Sequence, residues 1–192
     1  MYQDEDCITS KRGSLWRVWD LHVHTPASLR NGYKVKQNED VWEKYLTELE
    51  ALPPEFKVLG INDYIFIEGY KRLKEEKEKN GRLKNIALLL PVIELRLSKF
   101  GGTDGTLRRV NFHVIFSPDI KPKIIEQHFL NALPQTYKLS PKHESLKSKW
   151  SAVATPESLA ELGKLIKSTV PQEELDKYDS DLICLLYTSR CV

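Results

Sequence analysis

Two histidines one residue apart, in the stretch WRVWDLHVHTPAS at 16–28, have the type and spacing of residues that could do chemistry. On a β-strand, residues i and i+2 point to the same side, so His22 and His24 are predicted to converge on one space. Asp20 lies on the same face, where it would ligate an ion or orient an imidazole. Imidazole nitrogens suit zinc, iron or manganese. The spacing therefore predicts a metal site, with an ordinary strand carrying two polar side chains as the alternative.

Further metal-competent residues lie in three later stretches that are predicted to be strands. Asp63 lies in KVLGINDY, Glu94 in NIALLLPVIELRL and His113 in RRVNFHVIF. In a parallel α/β fold, site residues gather at the carboxyl ends of strands. Taken singly, His113 is typical of a core histidine and Glu94 of a salt-bridged edge residue. Four such residues at successive strand ends favour a shared metal centre.

Predicted strands and helices alternate along the chain with short connections. Strands are predicted at 15–23, 57–64, 85–97 and 108–116, and helices from residues 38, 67, 121 and 156. Asn38 is the predicted cap of the first helix, and Pro91 is a candidate break in the third strand. The first strand is apolar and aromatic enough to be a buried one. The alternation predicts an α/β fold with a parallel sheet and right-handed crossovers, open or closed into a barrel.

The composition is that of a globular protein. The chain has 192 residues, 41% of them hydrophobic and 29% charged, which suits one domain or a large part of one. A net charge of +2 favours no particular partner. There is no apolar run of the ~20 residues that a membrane span needs, and the N-terminus has no signal-peptide pattern. We therefore expect a cytoplasmic protein with no membrane partner.

The stretch WDLHVHTPAS resembles the first motif of the polymerase and histidinol phosphatase (PHP) family of metal-dependent phosphoesterases. LGINDY, LLPVIELR and VNFHVIF resemble later motifs of that family in the same order, so the resemblance spans roughly residues 12 to 118. The tryptophan-rich approach and the INDY…EGY segment are similar to PHP domains at the N-terminus of large ATPases, the TrlF-like proteins. The resemblance implies a distorted seven-stranded β/α barrel, (β/α)7, of which this chain contains the N-terminal portion.

The resemblance also implies a site with two divalent metal ions, which would be zinc, manganese or iron. Glu94 would bridge the two ions. The implied metal ligands are His22, His24, Glu94 and His113, the residues predicted to act in catalysis are Asp20 and Asp63, and the predicted substrate-binding residues are Arg30 and Lys34. The last two follow from charge and position in the loop after the first motif.

The chain departs from the family pattern at several ligand positions. Tyr64 stands where the family usually has a histidine, and Arg30 stands where a further histidine is common. Both missing ligands belong to the third metal of trinuclear members, so a dinuclear site is expected. The late ligands have no convincing match. His143 is a candidate stand-in, whereas His128 has the spacing of a helix-flank residue.

The function that the resemblance implies is hydrolysis of a phosphate ester, either a phosphomonoester or a nucleic-acid phosphodiester. The chain would be the N-terminal module of a larger ATPase in DNA repair or defence. The alternative is a catalytically degenerate PHP-like module that regulates or scaffolds that ATPase. A metal-dependent amidohydrolase-like barrel also uses His-x-His, but it needs further histidines and a late aspartate.

The last nine residues, CLLYTSRCV, resemble the translation of a sequencing-transposon end. We therefore expect the native frame to be lost near Ile183 and this chain to be incomplete. The expected organisation is a polar lead-in at 1–13, an incomplete PHP-like metal-binding domain at 14–183 and an adapter artefact at 184–192. Cys7 would then be the only genuine cysteine, and no disulfide is expected.

Overall fold

The computed structural model describes residues 16–28, 32–33, 39–101 and 108–130, with short pieces between 161 and 175. Its strands are β1 (Val18–Val23), β2 (Phe56–Asn62), β3 (Leu88–Gly101) and β4 (Arg108–Ile115). Its helices are α1 (Val41–Glu50), α2 (Glu68–Glu78), α3 (Pro122–Ile124), which continues into a π-helical turn at Ile125–Phe129, and α4 (Gln172–Leu175). The predicted α/β class is confirmed. None of the described helices is long and apolar enough to cross a membrane.

The four strands form one sheet in the order β1-β2-β3-β4. β1 pairs with β2 in parallel, and β2 pairs with β3 in parallel, as predicted. The sheet as a whole is mixed, because β4 runs antiparallel to β3. Only residues 102–107 separate these two strands, and a parallel connection needs a crossover of about a dozen residues or more. The predicted parallel sheet is therefore confirmed for its first three strands, whereas its last strand is antiparallel.

The chain divides into two compact units. The first comprises the residues up to Ile93 together with Ile115–Asp119, and the second comprises Glu94–Val114 and the residues from Ile120 onward. In the first unit, β2 has near-continuous burial, as expected for a strand with neighbours on both sides. The fully buried side chains of this unit include Leu46, Leu59, Ile61, Ile67, Tyr70, Leu73, Leu83, Ile86 and Ile93. In the second unit, Ile125 is a buried hydrophobic residue.

Helix α1 begins at an aspartate and not at the asparagine that the sequence suggested. Asp40 has an extended backbone, and its Oδ1 accepts hydrogen bonds from the backbone N–H groups of Trp42 (2.8 Å) and Glu43 (3.4 Å). These contacts satisfy donors that have no partner inside the helix. Asn38 lies outside the described residues. Just beyond the end of α2, Gly81 adopts the left-handed backbone with φ 66°, which is common after a helix.

Two predicted features of the strands are wrong. β1 is largely exposed and not buried: Trp16, just before it, is 98% exposed and Trp19 is 58% exposed. The strand lies at the edge of the sheet, where β2 is its neighbour. β3 is also unbroken at Pro91, which pairs with Ile61 in the parallel ladder and accepts a hydrogen bond from the Phe116 N–H (3.0 Å). Proline lacks a donor but keeps its acceptor, so the strand passes through it.

Hydrogen bonds between charged side chains hold the loop after α2 against α1. Arg82 donates Nε–H and Nη2–H to the two carboxylate oxygens of Glu50, both at 2.9 Å, and Nη1–H to Glu43 at 3.0 Å. The backbone N–H of Leu83, a buried residue with φ 55°, also donates to Glu50 at 2.9 Å. The Arg82 side chain and then the Leu83 N–H hold the pKa of Glu50 below its usual range.

We predict that Glu50→Gln lowers the melting temperature at pH 7, and that the difference from wild type shrinks as the pH falls toward 3. A carboxyl group with a lowered folded-state pKa contributes stability above its unfolded pKa, about 4.3, and loses it as the pH falls through the folded pKa. Thermal melts between pH 3 and 7 measure this. Glu75→Gln is the matched control, because the Glu75–Lys79 pair is exposed on the surface of α2. Equal effects of the two substitutions would contradict the prediction.

Candidate metal centre

The two histidines of the first motif direct their ring nitrogens at each other. Nε2 of His22 and Nε2 of His24 are 3.1 Å apart, and the ring planes are inclined at 72°. His22 is the second-last residue of β1 and His24 follows directly after the strand, so the alternation of side chains brings both rings to one side, as predicted. Nitrogens at this distance either share a proton or direct both lone pairs at a common cation.

His24 is held by contacts on its carbonyl, on its other ring nitrogen and on its ring face. The Tyr33 hydroxyl donates to the His24 carbonyl oxygen at 2.9 Å. Oγ of Ser28, a buried residue, lies 3.4 Å from Nδ1 of His24. The Tyr64 ring is tilted against the imidazole with a centroid separation of 4.9 Å. Contacts of this kind orient ligating histidines in metalloproteins.

Tyr64 occupies a backbone conformation that is unusual for a side chain of its size. Its φ is 61°, in the left-handed region. Its backbone N–H donates to Oδ1 of Asn62 at 3.1 Å, and its side chain is buried. This conformation turns the chain sharply after β2 and places the phenol ring against His24. Tyr64 therefore packs on a histidine of the cluster.

Asp63 is buried, with 1% of its surface exposed. Its Oδ1 accepts the backbone N–H of Thr25 at 2.8 Å, and its Oδ2 accepts the Thr25 hydroxyl at 2.7 Å. Burial raises the pKa of Asp63, the hydrogen bonds from Thr25 oppose this increase, Glu68 adds to it, and a hydrogen bond from the Gly69 N–H opposes it. The carboxylate thus faces protein donors and is shielded from solvent.

Asp20 is exposed and contacts the backbone of the histidine motif. Its Oδ1 accepts a hydrogen bond from the His22 N–H at 3.1 Å. The structure therefore shows Asp20 supporting the main chain at His22. This contact stabilises the end of an edge strand whose residues are otherwise largely exposed.

Glu94 and His113 lie on neighbouring strands of the second unit. The Glu94 carboxylate is buried, with its side chain 2% exposed, and its Oε2 lies 3.5 Å from Nε2 of His113. Oε1 of Glu94 accepts a hydrogen bond from Nδ2 of Asn111 at 2.9 Å. Asn111 and His113 are two residues apart on β4 and so share one face of it. Both oxygens of this buried carboxylate therefore have a polar neighbour, a histidine nitrogen at one and an amide donor at the other.

His22 and His24 together offer two imidazole nitrogens to one cation. Two imidazole nitrogens bound tetrahedrally to zinc at about 2.05 Å are about 3.3 Å apart, close to the 3.1 Å observed between the histidines. One carboxylate beside these two imidazoles would complete a three-ligand set of the kind seen in catalytic zinc sites. Two imidazoles and a carboxylate also suit manganese and iron. The residues present therefore fit a divalent transition metal.

Three of the candidate site residues are outside the part of the chain that the structure describes. They are Arg30, Lys34 and His143. His128 is described and lies exposed on the π-helical turn, as expected of a helix-flank residue.

Sequence reasoning missed several polar residues that surround the cluster. They are Thr25, Ser28, Tyr33 and Asn111. The polar TPAS loop directly after the second histidine was a sequence signal for Thr25 and Ser28. No sequence signal pointed to Tyr33 or Asn111, because the fold and not the spacing along the chain brings them close to their partners.

Comparison of the chain with protein-family models, with curated proteins and with solved structures finds no match.

Tyr33 and Tyr45 allow a matched test of the hydrogen bond to His24. Tyr33 and Tyr45 pack edge to face with ring centroids 5.3 Å apart, but only the Tyr33 hydroxyl donates to the His24 carbonyl. The hydroxyl of Tyr45 is buried and has no hydrogen-bond partner among the described residues. Burial raises the pKa of both phenols, so both are neutral near pH 7.

We predict that Tyr33→Phe lowers the free energy of unfolding by about 1 kcal/mol, the usual net contribution of one hydrogen bond. Tyr45→Phe should cost nothing or stabilise the protein slightly, because it removes a buried polar atom that lacks a partner. Urea unfolding of the two variants beside wild type measures both effects. A larger loss for Tyr45→Phe than for Tyr33→Phe would contradict the assignment.

Proposed function

We propose that this chain contains a metal-dependent phosphoesterase centre of the PHP kind, which hydrolyses a phosphate ester. The observation on which the proposal depends is the convergence of His22 and His24, whose Nε2 atoms are 3.1 Å apart. The contacts of Ser28 and Tyr64 with His24 support it. They hold the ring so that Nε2 and not Nδ1 is directed at His22.

The proposed cofactor is a pair of divalent ions, zinc, manganese or iron. His22, His24 and Glu94 would hold the first ion. Glu94 would bridge to a second ion that is held partly by His113. The support for the second ion is that Oε2 of Glu94 lies 3.5 Å from Nε2 of His113, so that one cation could bind both atoms. A carboxylate buried to this degree needs cationic or hydrogen-bonding partners on both oxygens.

When bound, such ions supply Lewis-acid polarisation of a phosphoryl oxygen and a nucleophile at neutral pH. The residues of the chain bind the ions and orient the ligands. The two histidines and Glu94 provide the ligand atoms, and Asp20 keeps the His22 backbone in place through its hydrogen bond at 3.1 Å. His22 is exposed and His24 half-buried, so a substrate phosphate can approach from solvent. Arg30 and Lys34 are the proposed contacts for its negative charge.

The wider setting is part of the same proposal. The four-stranded sheet would be the N-terminal portion of a PHP-type (β/α)7 barrel in the cytoplasm. The substrate would be a phosphomonoester or a nucleic-acid phosphodiester, and an ATPase domain would follow in the full-length protein, which would act in DNA repair or defence. The resemblance of WDLHVHTPAS and of the later motifs supports this setting.

A second candidate function, a non-catalytic module that regulates or scaffolds the ATPase, is favoured by Tyr64. This residue is buried against the His24 ring, and a neutral phenol with a pKa of about 10 is a poor metal ligand. On this reading the module would bind metal for stability and would not turn over a substrate. Hydrolysis measured beside metal binding separates the two functions.

We predict that the metal-stripped protein gains hydrolysis of p-nitrophenyl phosphate or bis-p-nitrophenyl phosphate when Zn²⁺ or Mn²⁺ is added. His24→Ala should lower this activity by at least about 100-fold, because losing even an outer partner of a ligand can cost 10–100-fold. Glu94→Gln should reduce the bound metal below two ions per chain, since the proposed bridge is lost. Elemental analysis and the two assays, run on the same preparations, measure these outcomes.

His128→Ala is the control, because this histidine lies exposed on the π-helical turn. It should leave both metal content and activity unchanged. Bound metal without hydrolysis in the wild type would favour the regulatory module. An unchanged metal content in His24→Ala would overturn the site itself.

A further inference from the structure

The loop that follows the second histidine is tied to the end of β2 by a buried carboxylate. Asp63 accepts both the backbone N–H and the hydroxyl of Thr25, at 2.8 and 2.7 Å. Thr25 is fully buried, and Asp63 is 1% exposed. Because the carboxylate is enclosed by donors from its own chain, it is not placed to touch a substrate. Its contacts instead fix the residue that directly follows His24.

Thr25 passes this restraint on to the side chain of His24 through a short turn. Its hydroxyl donates to Asp63 and accepts the Ala27 N–H at 3.0 Å, and its carbonyl accepts the Ser28 N–H at 3.0 Å. The turn brings the Ser28 hydroxyl to 3.4 Å from Nδ1 of His24. Hydrogen bonds that are linked through Thr25 and Ser28 thus connect the carboxylate to Nδ1 of His24.

The first turn of α2 packs so closely against the Asp63 carboxylate that position 69 has no room for a side chain. A Cβ atom added at Gly69 would lie 1.9 Å from Oδ2 of Asp63 and 2.2 Å from the Thr25 hydroxyl oxygen. Real Cβ atoms do not approach so closely, so only glycine permits this junction. The N-cap residue of α2, Ile67, offers no side-chain hydrogen bond of its own. The junction therefore joins the loop after β1, the end of β2 and the first turn of α2.

We propose that Asp63 is a positioning residue and not a catalytic one: through Thr25 and the turn to Ser28, it sets the orientation of His24 for binding a divalent cation. The proposal rests on the metal centre put forward above. Positioning of a ligating imidazole by an outer partner changes metal affinity by 10–100-fold in other sites.

The test is Zn²⁺ affinity of the full chain, measured by competition with a chromophoric chelator, with the visible spectrum of the Co²⁺ form as a second readout. Thr25→Val keeps the branched shape and removes the hydroxyl, and we expect it to weaken Zn²⁺ binding by about 10–100-fold. Thr25→Ser keeps the hydroxyl and should restore affinity. Ser28→Ala, which breaks the path at its last step, should weaken binding and change the Co²⁺ spectrum.

Thr47→Val is the matched control, because the Thr47 hydroxyl donates to the Glu43 carbonyl on the exposed surface of α1, away from the junction. A purely structural role for Thr25 would lower the melting temperature and leave the affinity of the folded protein unchanged, and that result would overturn the proposal. Wild-type zinc affinity in Ser28→Ala would also overturn it. A wild type that binds Zn²⁺ without hydrolysing esters would overturn the phosphoesterase proposal alone, whereas a wild type that binds no Zn²⁺ would overturn both.

Discussion

The hydrogen bonds between the buried Asp63 carboxylate and Thr25 are the contacts on which the rest of the histidine cluster depends. Burying a carboxylate is costly unless donors surround it. Here the donors come from Thr25 and from the Gly69 N–H, which belong to two other segments of the first unit. Satisfying one charge therefore requires the loop after β1, the end of β2 and the start of α2 to meet. Since His24 directly precedes Thr25, its position follows from the same requirement.

Two energetic costs lie close to this junction. Tyr64 takes a left-handed backbone, which costs a non-glycine residue about 1–2 kcal/mol, and the buried carboxylate has a raised pKa. Costs of this kind persist when the surrounding structure compensates for them, and they often accompany function. Both lie beside His24, whose ring contacts Tyr64 and Ser28. The concentration of strain and buried charge at this histidine agrees with a role in cation binding.

Much of this arrangement could be anticipated from patterns along the chain. Alternating side-chain direction on a strand was enough to predict that His22 and His24 converge. The exposure of β1 was not predictable in this way, because an apolar strand looks the same at the centre and at the edge of a sheet. Pro91 was likewise ambiguous, since its missing N–H matters only if the neighbouring strand needs that donor.

The sequence by itself determined the α/β class, the first three parallel strands and the pairing of the two histidines, because these depend on local periodicity and on short connections. Only the tertiary structure decided what Asp63 does. An aspartate at a strand end is equally suited to meet a substrate or to anchor a loop, and the choice depends on which donors the fold brings to it. The contacts of Glu94 with Asn111 and His113 were decided in the same way, by the pairing of β3 with β4. Spacing along the chain sets the direction of side chains within one strand, whereas packing sets the distances between side chains of different strands.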